Sequence, residues 1–362
     1  MVITGVGLVG AFGAGKEDFI RFLSHPVPSR AITEIDFDAY IDTSALRRAD
    51  HISRCALTAA TLALKDARIA VDKEKSDRVG ILLGTTHGAM DYTLEYHTSL
   101  VCGDPKVASP LIFSESVVNA AMSHISTVVG IRGYATTTAG YCAVLQGMRL
   151  GIELVEQGAL DVCLVGGADV NNDFLSKAYE GCLDQPELIK ANFGGSGFIV
   201  LESLAHALRR QASIYARVDG VSIVTAGYHD ARRYNISPLN DIFSETDAGL
   251  TEDDCALLTS FNDGESISRK ELYSQTFINA HSVLVDQSSV VEYGFSAGEA
   301  FGLIAGIMSV YSADYLPNFK EFGRRTSPIE RLFIVRTTLA GSNACAALSR
   351  WFPKSEAGEK RD

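Results

Sequence analysis

The feature that most constrains the fold is the stretch 134–168, where signals for a strand, a sharp turn, a helix and a second strand follow one another. Residues 135–139 are small and rich in threonine, which favours a buried strand. A helix is predicted over 143–157, where apolar side chains recur at helical spacing and Gly158 ends the pattern. Residues 161–165 form an apolar second strand. This stretch therefore predicts an α/β unit within the chain.

Cys142 lies at the turn between the predicted strand and helix. The N-terminus of a helix favours a thiolate, so a cysteine at this place is a plausible nucleophile. A buried and unreactive thiol is the alternative, because free cysteines are among the most buried residues of proteins. The choice between the two depends on the rest of the chain.

Composition limits the classes of function. The chain has 362 residues and a formal net charge of −12 without a basic tail, so we expect no binding to nucleic acid. Its apolar runs are short and interrupted by glycine, so we expect no membrane span, and no signal peptide is evident. Seven cysteines without paired spacing predict reduced thiols, no metal site and a cytoplasmic location.

Strand and helix signals alternate along both halves of the chain, which is typical of α/β layers. In the first half, the remaining predicted elements are strands at 2–9, 79–84 and 198–201 and helices at 17–23, 52–67, 90–100 and 114–129. In the second half, they are strands at 214–224, 255–260, 282–285, 332–338 and 344–348 and helices at 269–277 and 299–311. The glycine-rich segment 194–197 is predicted as a loop before a strand.

A series of short motifs is spread along almost the whole chain. They are Met1-Val-Ile-Thr-Gly-Val-Gly-Leu-Val9, Arg78-Val-Gly-Ile-Leu-Leu-Gly84, Ser109-Pro110, Gly130-Ile-Arg-Gly133, Asp161-Val-Cys-Leu-Val-Gly-Gly-Ala168, Phe198-Ile-Val-Leu-Glu202 and Leu339-Ala-Gly-Ser-Asn343. Together they resemble the β-ketoacyl-acyl carrier protein synthase family. The resemblance implies an α/β, thiolase-like αβαβα sandwich of two related halves, 1–208 and 209–362, each with a five-stranded mixed sheet. It also implies a dimer.

The resemblance implies a cysteine on a strand-to-helix elbow that accepts an acyl chain from a carrier-protein thioester. Two histidines would assist malonyl decarboxylation and stabilise developing negative charge. Counting forward from Gly130, as in the family, places Cys142 at the elbow. Counting back from Gly166 places Tyr141 there. Both assignments stay open at this point.

The histidines of the family are missing from their expected places. The second one falls on Phe295, in Gly294-Phe-Ser-Ala-Gly298, and the first one falls on Phe261 or Asn262. The stretch 287–292 has no lysine to support the second position. A phenylalanine ring can neither move a proton nor donate a hydrogen bond to an oxyanion. His281 resembles the histidine motif, but it lies too near Phe295 in sequence to be the first histidine.

This pattern of losses resembles the chain length factor, the non-catalytic partner of a ketosynthase in type II polyketide systems, including those that make aryl polyenes. It implies a heterodimer with a catalytic ketosynthase subunit and no cofactor. Because the chain is acidic, we expect the acidic acyl carrier protein to dock mainly on the partner. By the same resemblance, the residues expected to shape an acyl tunnel at the interface are Leu111, Ile112, Phe113, Ser116 and Val117.

Two other hypotheses remain. The chain could be an active β-ketoacyl synthase or acyltransferase that uses Cys142, with His281 or His124 as its base. Alternatively, it could be a scaffold of the same fold that only docks carrier protein. Labelling of Cys142 followed by turnover would favour the enzyme, and a heterodimer without a continuous tunnel would favour the scaffold.

Overall fold

The computed structural model describes ten segments of the chain, and structural statements refer to these residues. They are 1–24, 32–46, 49–74, 76–180, 194–225, 255–261, 283–286, 295–312, 329–337 and 342–352. The strands are β1 (Val2–Gly10), β2 (Gly13–Ala14), β3 (Val79–Thr85), β4 (Ala135–Ala139), β5 (Val162–Val170), β6 (Gly194–Glu202), β7 (Ala216–Thr225), β8 (Cys255–Phe261), β9 (Val283–Asp286), β10 (Arg331–Thr337) and β11 (Ser342–Ser349). The helices are α1 (Lys16–Ser24), α2 (His51–Asp66), α3 (Met90–Cys102), α4 (Pro110–Ser116), α5 (Ala120–Val129), α6 (Ala143–Glu156), α7 (Asp173–Tyr179), α8 (Leu204–Arg209) and α9 (Phe295–Tyr311).

Ten of the strands form two matching sets of five. The first set has the order β4-β3-β5-β6-β1, and the second set continues it as β7-β11-β10-β8-β9. Strand directions match as well, because β3 is parallel to β4 and β5 while β8 is parallel to β9 and β10. The sets join through a short antiparallel contact in which Val2 and Ile3 face Arg217 and Ala216. The predicted thiolase-like architecture with five-stranded mixed sheets is confirmed, and the division of the chain into 1–208 and 209–362 stays a prediction.

Alternating side chains of the first sheet pack against helices on both faces. Ile81, Leu83 and Phe198 face α2 and α5 in one apolar cluster. On the opposite face, Leu82 and Ile199 pack with residues of α6 and α9. The same second cluster includes residues of β10 and β11, so α6 and α9 lie between the two sheets. This arrangement places the N-termini of both central helices inside the protein.

The predicted helix over 114–129 is wrong, because the structure has two helices with a break between them. Ser109 caps α4, because its side chain accepts a hydrogen bond from the N–H of Ile112. Val117 follows α4 in an extended conformation, and α5 then begins after Asn119. The apolar pattern runs on across the break, so helical periodicity alone did not reveal it.

The glycine-rich segment 194–197 belongs to β6 and is not the loop that was predicted. Its residues pair with β1 on one side and with β5 on the other, for example Gly197 with Leu8 and with Gly167. Tertiary pairing overrides the low strand propensity of glycine here. The predicted helix at 269–277 lies outside the described residues.

Candidate functional site

A tight turn of Gly140, Tyr141 and Cys142 connects β4 to α6. Cys142 is the N-cap of α6 and has φ 56° and ψ 27°, in the left-handed region that is strained for residues other than glycine. Its side chain is fully buried and makes no capping hydrogen bond. Tyr141 is half-buried and precedes the cap. The predicted strand–turn–helix is confirmed, with Cys142 at the helix start. The prediction that the strand is buried is wrong for the single chain, because β4 lies at the edge of the sheet and none of its residues is buried.

The second central helix begins in a similar way. Phe295 is the first residue of α9, has φ 49° and is buried. Strand β9 takes the same place in the second sheet that β4 takes in the first, and α9 corresponds to α6. Cys142 and Phe295 therefore occupy equivalent positions in the two halves, each at the start of a central helix.

Phe295 belongs to a cluster of three rings. Its ring centroid lies 4.3 Å from that of His87 and 5.3 Å from that of Tyr179. The Nε2 atom of His87 is 3.0 Å from the hydroxyl of Tyr179, and its Nδ1 atom is buried without a hydrogen-bond partner among the described residues. Burial lowers the pKa of His87, although the nearby carboxylate of Asp169 opposes this effect. His87 is therefore neutral at pH 7.

Asp169, at the end of β5, is a buried residue whose carboxylate binds both the loop after β3 and the start of α9. Its oxygens accept hydrogen bonds from the N–H groups of Thr86 at 2.8 Å, His87 at 3.0 Å and Ser296 at 2.9 Å. The hydroxyl of Thr86 lies 3.4 Å from the carbonyl oxygen of Gly140 and 3.0 Å from the hydroxyl of Ser296. These contacts bring both helix starts to one place.

A buried pair of opposite charges lies at the same place. Glu299, one turn into α9, accepts a hydrogen bond from the N–H of Leu145 at 3.0 Å, and the N–H of Val144 also contacts its carboxylate. Arg336 of β10 places Nη1 3.8 Å from the second carboxylate oxygen of Glu299. The same Nη1 donates to the carbonyl oxygen of Phe295 at 3.2 Å. Burial raises the pKa of Glu299, and Arg336 opposes this.

Two glycines let the first sheet approach these helix starts closely. A Cβ atom added at Gly84 would lie 2.8 Å from backbone atoms of Ala143 and Val144 in α6. A Cβ added at Gly167 would lie 2.2 Å from the carbonyl oxygen of Ser296 in α9. No larger residue fits at either position without displacement of backbone.

The remaining candidate positions for catalytic histidines are not part of this arrangement. Some lie elsewhere in the structure and the others lie outside the described residues. His124 of α5 pairs with Glu115 of α4 at 2.8 Å, which joins two helices and indicates a structural role. Phe261 ends β8, whose backbone pairs with β10 at Thr337. His281, the stretch 287–292 and most of the loop between β10 and β11 lie outside the described residues.

The predicted tunnel residues lie on and just after α4. Leu111 is 44% exposed and Phe113 is 51% exposed, while Ile112, Ser116 and Val117 are half-buried. Phe113 contacts Tyr96 of α3 with ring centroids 5.3 Å apart. No residue of α3 is buried. Leu111 and Phe113 are therefore surface residues of the single chain.

Sequence reasoning missed Glu299 and Arg336. A signal was present, because Glu299 is the only charged residue in the apolar helix α9 and Arg336 follows four apolar residues in β10. Charged residues are almost never fully buried unless they are paired. That rule points to a buried ion pair, but the partners are 37 residues apart in sequence, and local pattern does not join them.

Two cavities lined by described residues lie away from the helix starts. One of about 660 Å³ is lined by residues of β1, β2, α1 and the segment 34–40, and one of about 390 Å³ lies beside Arg78, Asp161 and Arg210. Neither includes the residues at the helix starts. Within the described segments, no group of histidine, cysteine and acidic residues is arranged to hold a metal ion, and no helix is long and apolar enough to cross a membrane.

Comparison with known sequences finds relatives of one kind. Residues 21–176 match the profile described as "Beta-ketoacyl synthase, N-terminal domain". The chain is 24% identical over 267 residues to 3-oxoacyl-[acyl-carrier-protein] synthase 2 of Coxiella burnetii, a match that covers 64% of each protein. It is 25% identical over 212 residues to the synthase of the same name from Vibrio cholerae, covering 54% of this chain and 51% of that protein. The chain thus spans less than two thirds of the length of these relatives.

Solved structures resemble nearly the whole chain. The ishigamide ketosynthase/chain length factor matches with a TM-score of 0.78 and 20% identity, covering 97% of this chain and 99% of that chain. A β-ketoacyl synthase from Burkholderia phymatum matches with a TM-score of 0.77 and 19% identity over the same shares. The type II polyketide ketosynthase AntDE, in complex with its acyl-carrier protein AntF, matches with a TM-score of 0.75 and 20% identity. That match also covers 97% of this chain and 99% of the other chain. These likenesses establish a thiolase-like ketosynthase fold.

Proposed function

We propose, on the premise that residues 21–176 belong to the β-ketoacyl synthase family, that this chain is a non-catalytic chain-length-factor partner of a β-ketoacyl-acyl carrier protein synthase. In the proposed heterodimer, the partner supplies the reactive cysteine and both histidines. This chain shapes the tunnel that receives the growing polyketide or fatty-acid-type chain, which includes the polyenes of aryl polyene systems. Control of length is then a steric effect of apolar side chains.

Phe295 is the observation that carries the proposal. The resemblance of its motif assigns it the place of the family's second histidine, and its ring is buried against His87 and Tyr179. A histidine at this place would donate a hydrogen bond to the oxyanion that develops during condensation. A benzyl ring has no donor and carries no proton. The chain by itself thus lacks a group that condensation requires at this position.

Exposed apolar side chains at the end of α3, in the segment before α4 and on α4 support a partner subunit. Val101 and Val107 are 81% and 74% exposed, and Leu111 and Phe113 are about half exposed. Several exposed apolar side chains close together in sequence are compatible with a protein–protein interface. One structural neighbour, the ishigamide protein, is a ketosynthase/chain length factor. We infer that the catalytic subunit covers this surface.

The loop between β3 and α3 offers a physical link between that surface and the helix starts. A Cβ added at Gly88 would lie 3.4 Å from Val118, just after α4. The preceding residue, His87, contacts Phe295. We infer that an acyl chain entering from the partner passes Ile112, Ser116 and Val117, which are half-buried in the single chain, and stops short of the ring cluster.

Charge indicates which subunit receives the carrier protein. The net charge of −12 disfavours close approach of an acidic carrier protein to this chain. In the AntDE:AntF neighbour, the acyl-carrier protein is in complex with its ketosynthase. We infer that docking is mainly on the catalytic partner and that the complex acts in the cytoplasm.

Product length tests the proposed role. The co-purified complex with its ketosynthase is assayed with Phe113→Ala, Ile112→Ala and Leu111→Ala in this chain. Truncation widens the tunnel, so we expect the product distribution to move towards longer chains while the complex stays intact. Mass spectrometry of carrier-bound products measures the shift.

Two matched variants control for the loss of an exposed apolar side chain. Phe352 is 54% exposed, like Phe113, and Leu208 is 54% exposed, like Leu111. Phe352→Ala and Leu208→Ala should leave product length unchanged. An unchanged distribution in all three α4 variants, with an intact complex, contradicts the tunnel role.

The strained backbone of Cys142 favours a second candidate, an active synthase or acyltransferase. Residues with strained backbone conformations cluster at active sites, and the two sequence relatives described above are named as synthases. The test is incubation of the purified chain with an acyl-carrier-protein thioester. Acylation that is lost in Cys142→Ala, followed by multiple turnovers without a partner, would establish this candidate and reject the non-catalytic role.

A further inference from the structure

Two helices of the first half end on a residue in the left-handed conformation that usually takes glycine. After α2, Arg68 has φ 56°, and after α8, Gln211 has φ 55°. In both places the N–H of the next residue donates to the carbonyl oxygen five positions earlier at 2.9 Å, which is the Schellman motif. Glycine adopts this conformation without the strain that an arginine or a glutamine bears.

Both strained residues line the same cavity, the one of about 390 Å³. Among the described residues, four residues other than glycine have a positive φ, and the remaining two are Cys142 and Phe295 at the helix starts. Strained residues cluster at functional sites. Strain is thus concentrated at the helix starts and at this second place, which we call the Arg68 cavity.

The wall of the Arg68 cavity is held in place by two arginines that have partners within the protein. Arg210 joins the ends of α2 and α8, because its Nη1 donates to the carbonyl oxygen of Ala67 at 2.6 Å and its Nε donates to the buried carboxylate of Glu202 at 3.0 Å. Arg78 donates two hydrogen bonds to Asp161, at 2.7 and 3.2 Å. The cavity is therefore formed without a ligand.

Three polar side chains of the lining are without a partner among the described residues. They are Arg68, Gln211 and Ser213, and all three are exposed. Each can donate hydrogen bonds, and the guanidinium of Arg68 adds a permanent positive charge. These side chains therefore offer donors to a ligand.

The other groups of the lining offer a ligand mainly apolar surface. Its carboxylates already accept hydrogen bonds from a lysine, a main-chain N–H group and an arginine, in the pairs Asp66–Lys16, Asp72–Glu74 and Asp161–Arg78. Aliphatic side chains such as Ile69, Val79 and Val162 complete the lining. Donors beside apolar surface match a molecule that has acceptor oxygens at one end and an apolar body.

We propose that the Arg68 cavity binds a small organic molecule with an oxyanion head, a phosphate or a carboxylate. A guanidinium binds either head group through two parallel hydrogen bonds. Gln211 and Ser213 supply further donors, and the volume of about 390 Å³ is within the range of small-molecule sites. Binding here is independent of the proposed chain-length role, so either can fail while the other holds.

Three probes with the same aromatic body test the head group. Phenyl phosphate and benzoate are oxyanions, and benzamide is their neutral counterpart. In isothermal titration calorimetry of the full chain, we expect one oxyanion to bind at least about tenfold more tightly than benzamide. The tighter oxyanion identifies the head group. Equal binding of benzamide, or no binding of either oxyanion at about 10 mM, overturns the proposal.

Glycine substitutions separate ligand binding from a structural role, because the two roles predict opposite changes in stability. Arg68→Gly relieves the strained backbone, so its melting temperature should rise by about 1–3 °C. The same variant should bind the oxyanion about tenfold more weakly, since the charged fork is lost. Gln211→Gly should also melt at a higher temperature, with a loss of affinity of about threefold.

Arg209→Ala is the matched control, because Arg209 is exposed on α8 and is not part of the lining. It removes the same charge, and salt screens exposed charges, so affinity should stay within about twofold of the unsubstituted chain. Three results overturn the proposal: an unchanged affinity in Arg68→Gly, an equal loss in Arg209→Ala, or a lower melting temperature in Arg68→Gly.

Discussion

The two central helices of this protein start with the same backbone and with different chemistry. Cys142 begins α6 and Phe295 begins α9, both with positive φ and both buried. The strands around them follow the same order in the two sheets. The matched profile of the N-terminal domain covers residues 21–176, in the first half. Packing between sheets and helices thus maintains the elbow geometry, while the side chain at each elbow is free to differ.

The difference between the elbows also decides where charge can be buried. The second half contributes both Glu299 and Arg336, and the first half contributes backbone amides of α6 that bind Glu299. A histidine at Phe295 would add a titratable group beside them. The three predictions that follow test how far each elbow depends on its own half, from the largest expected effect to the smallest.

Removal of the buried cation should have the largest effect on stability. Arg336→Met leaves Glu299 buried without a counter-charge, which we expect to cost about 3–5 kcal/mol of the free energy of unfolding. Because burial raises the pKa of Glu299, the folded variant binds a proton more tightly than the unfolded chain. The loss should therefore be greatest above pH 7 and shrink as the pH falls, as measured by urea denaturation.

The double variant Glu299→Leu/Arg336→Met controls for charge, because it removes both partners and fills the site with apolar atoms. It should recover most of the lost stability and show no comparable dependence on pH. A double variant no more stable than Arg336→Met would mean that shape, rather than charge, sets the cost at this position.

Alanine at the close-contact glycines compares the two elbows directly. Gly167→Ala places a Cβ 2.2 Å from the carbonyl oxygen of Ser296, and Gly84→Ala places one 2.8 Å from α6 backbone. We expect losses of about 3 kcal/mol and about 1–2 kcal/mol respectively, because the shorter contact needs the larger displacement of backbone. Thermal unfolding followed by circular dichroism measures both.

Gly220→Ala is the matched control within β7, where an added Cβ meets nothing within 4 Å. Its effect should stay within about 0.5 kcal/mol. If Gly84→Ala proved more destabilising than Gly167→Ala, the backbone at the first elbow would be the more rigid of the two. That result would contradict the expected order of the two losses of stability.

Substitution of His87 should have the smallest effect on the free energy of unfolding. Its folded-state pKa is lowered by burial, so its contribution to stability is complete above about pH 6.5 and declines as the pH falls below that value. His87→Gln should remove part of this acid sensitivity, about 1 kcal/mol between pH 7 and pH 5. Urea midpoints across this range provide the measurement. The exposed residue His97 is the control, and His97→Gln should leave the slope unchanged.

Local patterns predicted most of the described strands and helices to within a few residues. Helix α2 was predicted at 52–67 and lies at His51–Asp66, and β3 was predicted at 79–84 and lies at Val79–Thr85. The failures have tertiary causes. The break at Val117 separates two helices with similar apolar spacing, and the glycines of 194–197 form a strand because strands pair with them on both sides.

The strand–turn–helix around Cys142 followed from the amino-acid sequence alone, because it depends on the spacing and size of neighbouring residues along the chain. The absence of the family's second histidine at Phe295 is a prediction from the resemblance to that family. The partners of the elbow were decided only by the tertiary structure, where Glu299 reaches an amide 154 residues away and Arg336 balances it. Burial removes water from these groups, so each needs a specific partner, and only the folded chain brings that partner within reach.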